Sequence, residues 1–252
     1  MNRDQFWLTD TQFSKIEPHL PTDTRGKARV DDRRVISGII HVLKSGGRWV
    51  DAPPEYGPRK TLYNRFVRWA EKGVWDELFH ALAQAGGPPA QVLIDSSAVK
   101  AHRSAAGGKR GEANHAIGRS RGGRTTKIRA LTDGQCRPVA FVLTGGQVAD
   151  CTAGAKLLEQ LPHCDILHGD KGYDSNAIRQ QVADQGAMAN IPPKTNRKWK
   201  NCFSPFLYRN RNAIERMFCR LKDFRRVATR YDRNAVTFLA AVCIAAVISY
   251  WL

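Results

Sequence analysis

Several absences narrow the reading of this chain. No two of its six cysteines are spaced C-x-x-C, so nothing supports a structural zinc site. The opening MNRDQFWLTD lacks the apolar core of a secretion signal. A cytoplasmic chain with free or buried thiols is the expectation. There is no internal repeat and no long low-complexity tract, and 42% of the 252 residues are hydrophobic, so a packed core is expected rather than disorder. Acids are the scarcest of the charged groups. Asp plus Glu number 23 against 40 Lys plus Arg, a net charge of +17. That imbalance points to a polyanionic partner, most simply nucleic acid.

The shortage of acid is uneven. Residues 1–90 hold 14 basic and 11 acidic side chains, a net of +3, whereas residues 91–252 hold 26 and 12, a net of +14. Residues 100–129 carry nine cations and one acid, and residues 194–233 carry thirteen and three. Long apolar runs are also rare. The exception is AVTFLAAVCIAAVISYWL, residues 235–252. Its length reaches the lower limit for a membrane span. A buried helix closing a soluble core fits it better, because everything before it reads as soluble and basic, and no membrane is expected as a partner.

The first 85 residues read as helical. Thr9 or Asp10 caps a helix that stops at Pro21. Val35, Ile36, Ile39, Ile40 and Leu43 form a helical stripe that ends at Gly46-Gly47. APPEYGP is a break. A further helix follows, with Leu62, Phe66 and Trp69 on one side and Arg59, Lys60 and Arg65 among its polar positions. Short helices before a basic helix suggest a helix-turn-helix-like DNA-binding domain over residues 1–85. AGGPPAQ reads as a hinge, and residues 91–252 as a second domain of α/β type. VLID is a short buried strand closed by Asp95. TTKIRALTD and RPVAFVLTGG are strands around the turn DGQC. A helix, the strand DILHGD, a helix, the strand MANIPP and a long basic helix follow. The Gly- and Arg-rich residues 105–123 read as a mobile loop suited to phosphate contact.

Chemistry is expected where acids stand at strand ends. Asp95 follows Val92-Leu93-Ile94, and Asp170 follows the strand of Ile166-Leu167. Taken alone, each reads as a turn or helix cap. Glu215 changes their meaning. On a continuous helix from Tyr208 at about 100° per residue, Arg211 falls near ~−60°, Glu215 near ~−20° and Lys222 near ~−40°. These four share one face, while Ile214, Met217, Leu221 and Phe224 lie opposite. An Arg211–Glu215 ion pair on a solvated face is the simplest reading of that face. Three carboxylates among cations, however, suit two hard divalent ions, Mg2+ or Mn2+, acting on a phosphodiester.

The pattern Y-x-x-R-x-x-x-E-x-x-x-x-x-x-K at Tyr208, Arg211, Glu215 and Lys222 resembles the signature of bacterial insertion-sequence transposases with a DDE active site. VLIDSSAVKAHRSA and HGDKGYDS look like the first and second Asp motifs of that family. The segments WLTDTQFSKIEPHLP and SGGRWVDAPPEYGPRKTLYNRFVRW resemble its IS-five group. The resemblance implies a ribonuclease-H-like mixed sheet with helices on both faces, an expectation that the strand and helix order also fits. It implies that Asp95, Asp170 and Glu215 are catalytic and carry the metals, and that Tyr208, Arg211 and Lys222 position a DNA end. It further implies recognition of terminal inverted repeats in double-stranded DNA, joining to target DNA, and a homodimer or higher oligomer on DNA. A ribonuclease-H-like nuclease that only hydrolyses, and a helix-turn-helix regulator that does not cut, remain the alternatives.

Overall fold

Caps written into the first third of the chain delimit its helices. The computed structural model describes residues 5–22, 31–107 and 111–252. Lys109 and Arg110 of the first basic cluster lie outside the described residues, as do residues 1–4 and 23–30. Helix α1 (Asp10–Ile16) opens on a reciprocal cap, with Thr9 accepting from the Gln12 amide and Gln12 accepting from the Thr9 amide. Helix α2 (Asp32–Ser45) is capped by Asp31 and ends at Gly46, whose φ of 77° is cheap only for glycine. The single helix expected after Pro58 is two, α3 (Arg59–Glu71) and α4 (Val74–Ala85). Gly73 at φ 78° turns the chain between them.

Beyond the hinge come β1 (Gln91–Ala101), β2 (Gly118–Ser120), β3 (Gly123–Asp133) and β4 (Pro138–Gly145). Strand β1 is much longer than VLID and does not end at Asp95. Its antiparallel pairing with β3 continues as far as Lys100 opposite Thr125, which carries the strand past the apolar run. Part of the segment expected to be a mobile loop is likewise ordered. Residues 113–115 make a turn, β2 pairs with β3, and Thr126 donates to the Ala116 carbonyl at 2.7 Å.

Helix α5 (Asp150–Leu158), β5 (Ile166–Gly169), α6 (Asn176–Asp184) and β6 (Met188–Asn190) follow. In the sheet, β4 pairs with β3, β3 with β1, β1 with β5 and β5 with β6. The first two pairings are antiparallel, and the last two are parallel. Each parallel step needs a crossover, which α5 and α6 supply. This is the ribonuclease-H-like arrangement.

Alternation along β1 separates two cores. Val92 and Ile94 pack with α5 and α6. Leu93 and Val99 pack with the N-terminal helices and the C-terminal segment.

The long basic helix is broken into α7 (Pro205–Tyr208), a 3-10 turn at Arg209–Arg211 and α8 (Asn212–Leu221). The break coincides with the point where Arg211 reaches across to Asp95. Helix α9 (Arg225–Ala228) leads into a two-residue strand, β7 (Thr229–Arg230), which pairs with the end of β1. The apolar run forms α10 (Ala235–Ala246), then a π-helical turn at Val247–Trp251. It is a core helix, with Phe238 and Ala240 through Val247 buried. Among the described residues, no helix is long and apolar enough to cross a membrane.

Phe238 is 0% exposed and stacks under the guanidinium of buried Arg230 at 5.0 Å. Phe238→Ala should therefore destabilise the chain by about 3–5 kcal/mol. Urea denaturation measures this, and a loss below about 1 kcal/mol would mean that α10 is not central to the core.

Candidate active site

The register of two parallel strands brings the first two acids together. Ile94 of β1 pairs with Gly169 of β5, so the next residues, Asp95 and Asp170, are neighbours where β5 stops. Asp95 Oδ1 accepts from the Ser96 amide at 2.7 Å, and its Oδ2 accepts from Arg211 Nη1 at 2.7 Å. Asp170 Oδ1 accepts from the Gly172 amide at 2.8 Å. A Cβ at position 172 would lie 2.9 Å from that oxygen, so a side chain there would displace the Asp170 carboxylate. Burial raises the Asp95 carboxyl above its usual range, and the like charge of Asp170 adds to the rise. The Ser96 amide and Arg211 oppose it without cancelling it.

Helix α8 brings up the third acid. Ala213, Ile214, Met217, Phe218 and Leu221 are buried, which leaves Glu215 on the open side of the helix. Glu215 Oε1 accepts from Arg211 Nη2 at 2.6 Å. One guanidinium thus joins Asp95 to Glu215, and it lies 5.8 Å from the Tyr208 ring centre. Lys222 donates to Ser97 Oγ at 2.7 Å, two residues along β1 from Asp95 and on the same face. Tyr208, Arg211, Glu215 and Lys222 therefore meet at β1, although no continuous helix carries them. Arg211 and Lys222 are engaged within the protein rather than projecting freely.

The expected cluster of three carboxylates is interrupted. Among the described residues, no group of three or more His, Cys, Asp or Glu side chains stands in metal-holding geometry. The Arg211 guanidinium takes the position between Asp95 and Glu215 and bonds both. The donor chemistry still fits a hard divalent ion. All three side chains are carboxylates, and neither Asp170 Oδ2 nor Glu215 Oε2 accepts a hydrogen bond from the described residues.

Reasoning from sequence missed Asp150, at the start of α5. Its Oδ1 accepts from Ser96 Oγ at 3.1 Å, Arg129 Nη1 at 2.6 Å and Lys127 Nζ at 3.1 Å. The Ser96 amide in turn holds Asp95. Burial alone raises the Asp150 carboxyl, but bonds from Arg129 and Lys127 hold it below the usual range. The available signal was the placing of Lys127 and Arg129 at alternate positions of a strand, on one face, since inward cations require a carboxylate.

Of the N-terminal cations, Arg59 and Lys60 are exposed at the first turn of α3. Arg65 departs from the expectation of a DNA contact. It is bonded to Asp32 of α2, its guanidinium lies over Trp69 at 4.7 Å, and its side chain is only 12% exposed. Packing of α2 against α3 turns it inward.

Arg129 is 0% exposed, and Asp150 is the carboxylate that pairs with it. Asp150→Ala should cost about 3–5 kcal/mol, as expected for stranding a buried cation. Thermal or urea unfolding reads the loss, and an unchanged stability would show that Asp150 is dispensable to the platform behind Asp95.

Comparison with known proteins places this geometry. Residues 8–79 match the family model described as "Putative transposase of IS4/5 family", and residues 86–249 match "Transposase DDE domain". The chain is 30% identical over 122 residues to "Putative transposase for insertion sequence element IS6501" of Brucella ovis, covering 48% of this chain and 94% of that protein. It is 33% identical over 107 residues to an insertion element IS402 16.2 kDa protein of Burkholderia cepacia, covering 37% of this chain and 73% of that one. The cryo-EM structure of the piggyBac transposase synaptic complex with hairpin DNA aligns over 98% of this chain and 72% of that chain. Its TM-score is 0.53 at 12% identity, a likeness of fold. The chain belongs to the DDE transposases of bacterial insertion sequences, within the IS4/5 family.

Proposed function

We propose that this transposase cuts at the terminal inverted repeats of its own element and joins the freed 3′-OH ends to target DNA. The adjacency of Asp95 and Asp170, with Glu215 tied to Asp95 through Arg211 over the same strand, is the observation that carries this reading. Asp95, Asp170 and Glu215 would hold the divalent ions, Mg2+ or Mn2+, two in number. Bound there, the ions would supply Lewis acidity to the attacking and leaving oxygens of an in-line displacement. Water is the first nucleophile and the 3′-OH the second, so no covalent enzyme intermediate is required.

The cations have complementary roles. Arg211 presents a planar fork that suits a phosphate as well as a carboxylate, so it exchanges its carboxylates for the DNA end. Lys222 and Tyr208 flank it and position the same end. Residues 1–85 recognise the inverted repeat through Arg59 and Lys60, and residues 91–252 carry catalysis with backbone contacts from the basic clusters. The complex is a homodimer or higher oligomer assembled on DNA in the cytoplasm.

Glu215→Gln keeps the shape and removes one charge. At saturating end duplex in magnesium, cleavage and strand transfer should fall by orders of magnitude, with binding intact or slightly tighter. An exposed i, i+4 ion pair with Arg211 is worth about 0.3–0.5 kcal/mol. At ~1.4 kcal/mol per tenfold, its loss alone changes rates less than about threefold. Near-normal cleavage would remove Glu215 from the active site. Wild-type protein that cleaves without ever yielding strand-transfer products would instead be a nuclease.

Arg59→Ala with Lys60→Ala should reduce the preference for element ends over random duplex by about tenfold. A lost base contact weakens binding to the element end alone, whereas a lost phosphate contact would weaken both duplexes alike and lower the salt slope by about 0.9. Competition binding at two salt concentrations measures both effects. Undiminished preference would move end recognition elsewhere.

A further inference from the structure

The segment between β6 and α7 presents an indole to solvent on a rigid mount. Trp199 is 88% exposed, the most exposed large hydrophobic side chain among the described residues. The stems of its loop are not loose. Asp174, 2% exposed, accepts from the Lys194 amide at 2.7 Å, from Arg197 Nε at 2.6 Å and from Arg179 Nε at 2.9 Å. Arg197 also bonds Asn176 at 2.7 Å. On the far side, the Asn190 amide group exchanges two hydrogen bonds with the Ser204 backbone, at 2.8 and 3.1 Å. Between these clamps, residues 198–202 are exposed. Lys198 and Lys200 flank the indole, and residues 194–211 contain no Asp or Glu.

An aromatic ring held out between two ammonium groups has the chemistry of a wedge into a base stack. The ring slides between base pairs while the lysines meet phosphates on either side. A lysine on each side of the ring, with no acid within residues 194–211, argues for DNA over an apolar protein partner.

The fold indicates which DNA. The N-terminal helices pack with β1, β3, β4 and α10, whereas β5, β6 and α6 belong to the other core. The Trp199 loop leaves the outer strand β6, so the acids on β1 and after β5 lie between it and the N-terminal helices. A duplex held by those helices and running over Asp95 and Asp170 reaches the loop only beyond the phosphate that reacts. At joining, that position belongs to target DNA.

We propose that Trp199, carried between Lys198 and Lys200, inserts between base pairs of the target duplex and kinks it for attack. This rests on the cut-and-join reading above.

The test uses full-length Trp199→Ala and Trp199→Phe proteins, with intact element ends, pre-cut ends, and a target duplex carrying 2-aminopurine. Trp199→Ala should cleave intact ends at the wild-type rate yet join pre-cut ends to target at least tenfold more slowly. Joining should recover on a target with a mismatch, which kinks without a wedge. Trp199→Phe should keep most of the joining. Wild-type protein should raise 2-aminopurine fluorescence on the target duplex even without catalysis, and Trp199→Ala should not. Equal loss of cleavage and joining would overturn the proposal by assigning the wedge to DNA flanking the element. Unchanged joining would overturn it outright. A change in oligomeric state of Trp199→Ala by light scattering would assign the surface to a second copy of the chain. If wild-type protein joins nothing, the cut-and-join reading has failed, and the fluorescence comparison still tests insertion.

Discussion

Two carboxylates held side by side in partial burial repel each other, and much of this structure answers that repulsion. Asp95 and Asp170 are fixed as neighbours by the β1–β5 register, so neither can retreat. Burial and mutual repulsion favour a neutral Asp95, and the Ser96 amide and Arg211 oppose that preference without cancelling it. Arg211 supplies one positive group directly and ties Glu215 to the same point. Lys222 anchors α8 to the face of β1 that carries Asp95, one alternate position further on. The opposite face of β1 has its own answer in the Asp150, Arg129 and Lys127 cluster, which holds Ser96 and so the amide that orients Asp95. The excess of cations over acids thus serves the fold before any DNA arrives.

The site also depends on a core that no single segment completes. The N-terminal helices, α8 and α10 share one apolar cluster with Leu93, Val99, Ile128 and Phe141 of the sheet. Phe79 of α4 lies 5.1 Å from Phe141 of β4, ring centre to ring centre. Arg226 of α9 donates to the Gly47 carbonyl beside the end of α2 at 2.9 Å, across most of the chain length. The N-terminal helices and the catalytic sheet are therefore mechanically connected. Close packing joins α3 and α4 to α8 and α10 through this shared cluster.

Much of the fold could be read from local pattern. The stripe of Val35, Ile36, Ile39, Ile40 and Leu43 fixed α2, and the Gly46 stop fell where expected. The apolar C-terminal run became the core helix α10, since it is apolar nearly all round and is buried from Ala240 to Ala246. Local pattern failed where a distant partner changed the outcome. Pairing with β3 lengthened β1 past its apolar run. Gly73 divided a helix that periodicity alone joined. A 3-10 turn interrupted the helix expected from Tyr208 onward. Arg65, polar by type and basic by charge, turned inward because Asp32 of α2 was waiting for it.

The sequence by itself determined the residue types of the candidate site and their order: two aspartates after apolar runs, then a glutamate in a basic segment. Spacing grouped Arg211, Glu215 and Lys222 before any fold, but on a continuous helix that the structure replaces with a 3-10 turn at Arg209–Arg211 followed by α8. Only the tertiary structure decided which cation faces which acid. Arg211 between Asp95 and Glu215, Lys222 on Ser97, and Asp150 behind Ser96 all join residues far apart in the chain. Such pairings follow from strand register and helix packing, which depend on every contact in the core at once and leave no local mark in the sequence.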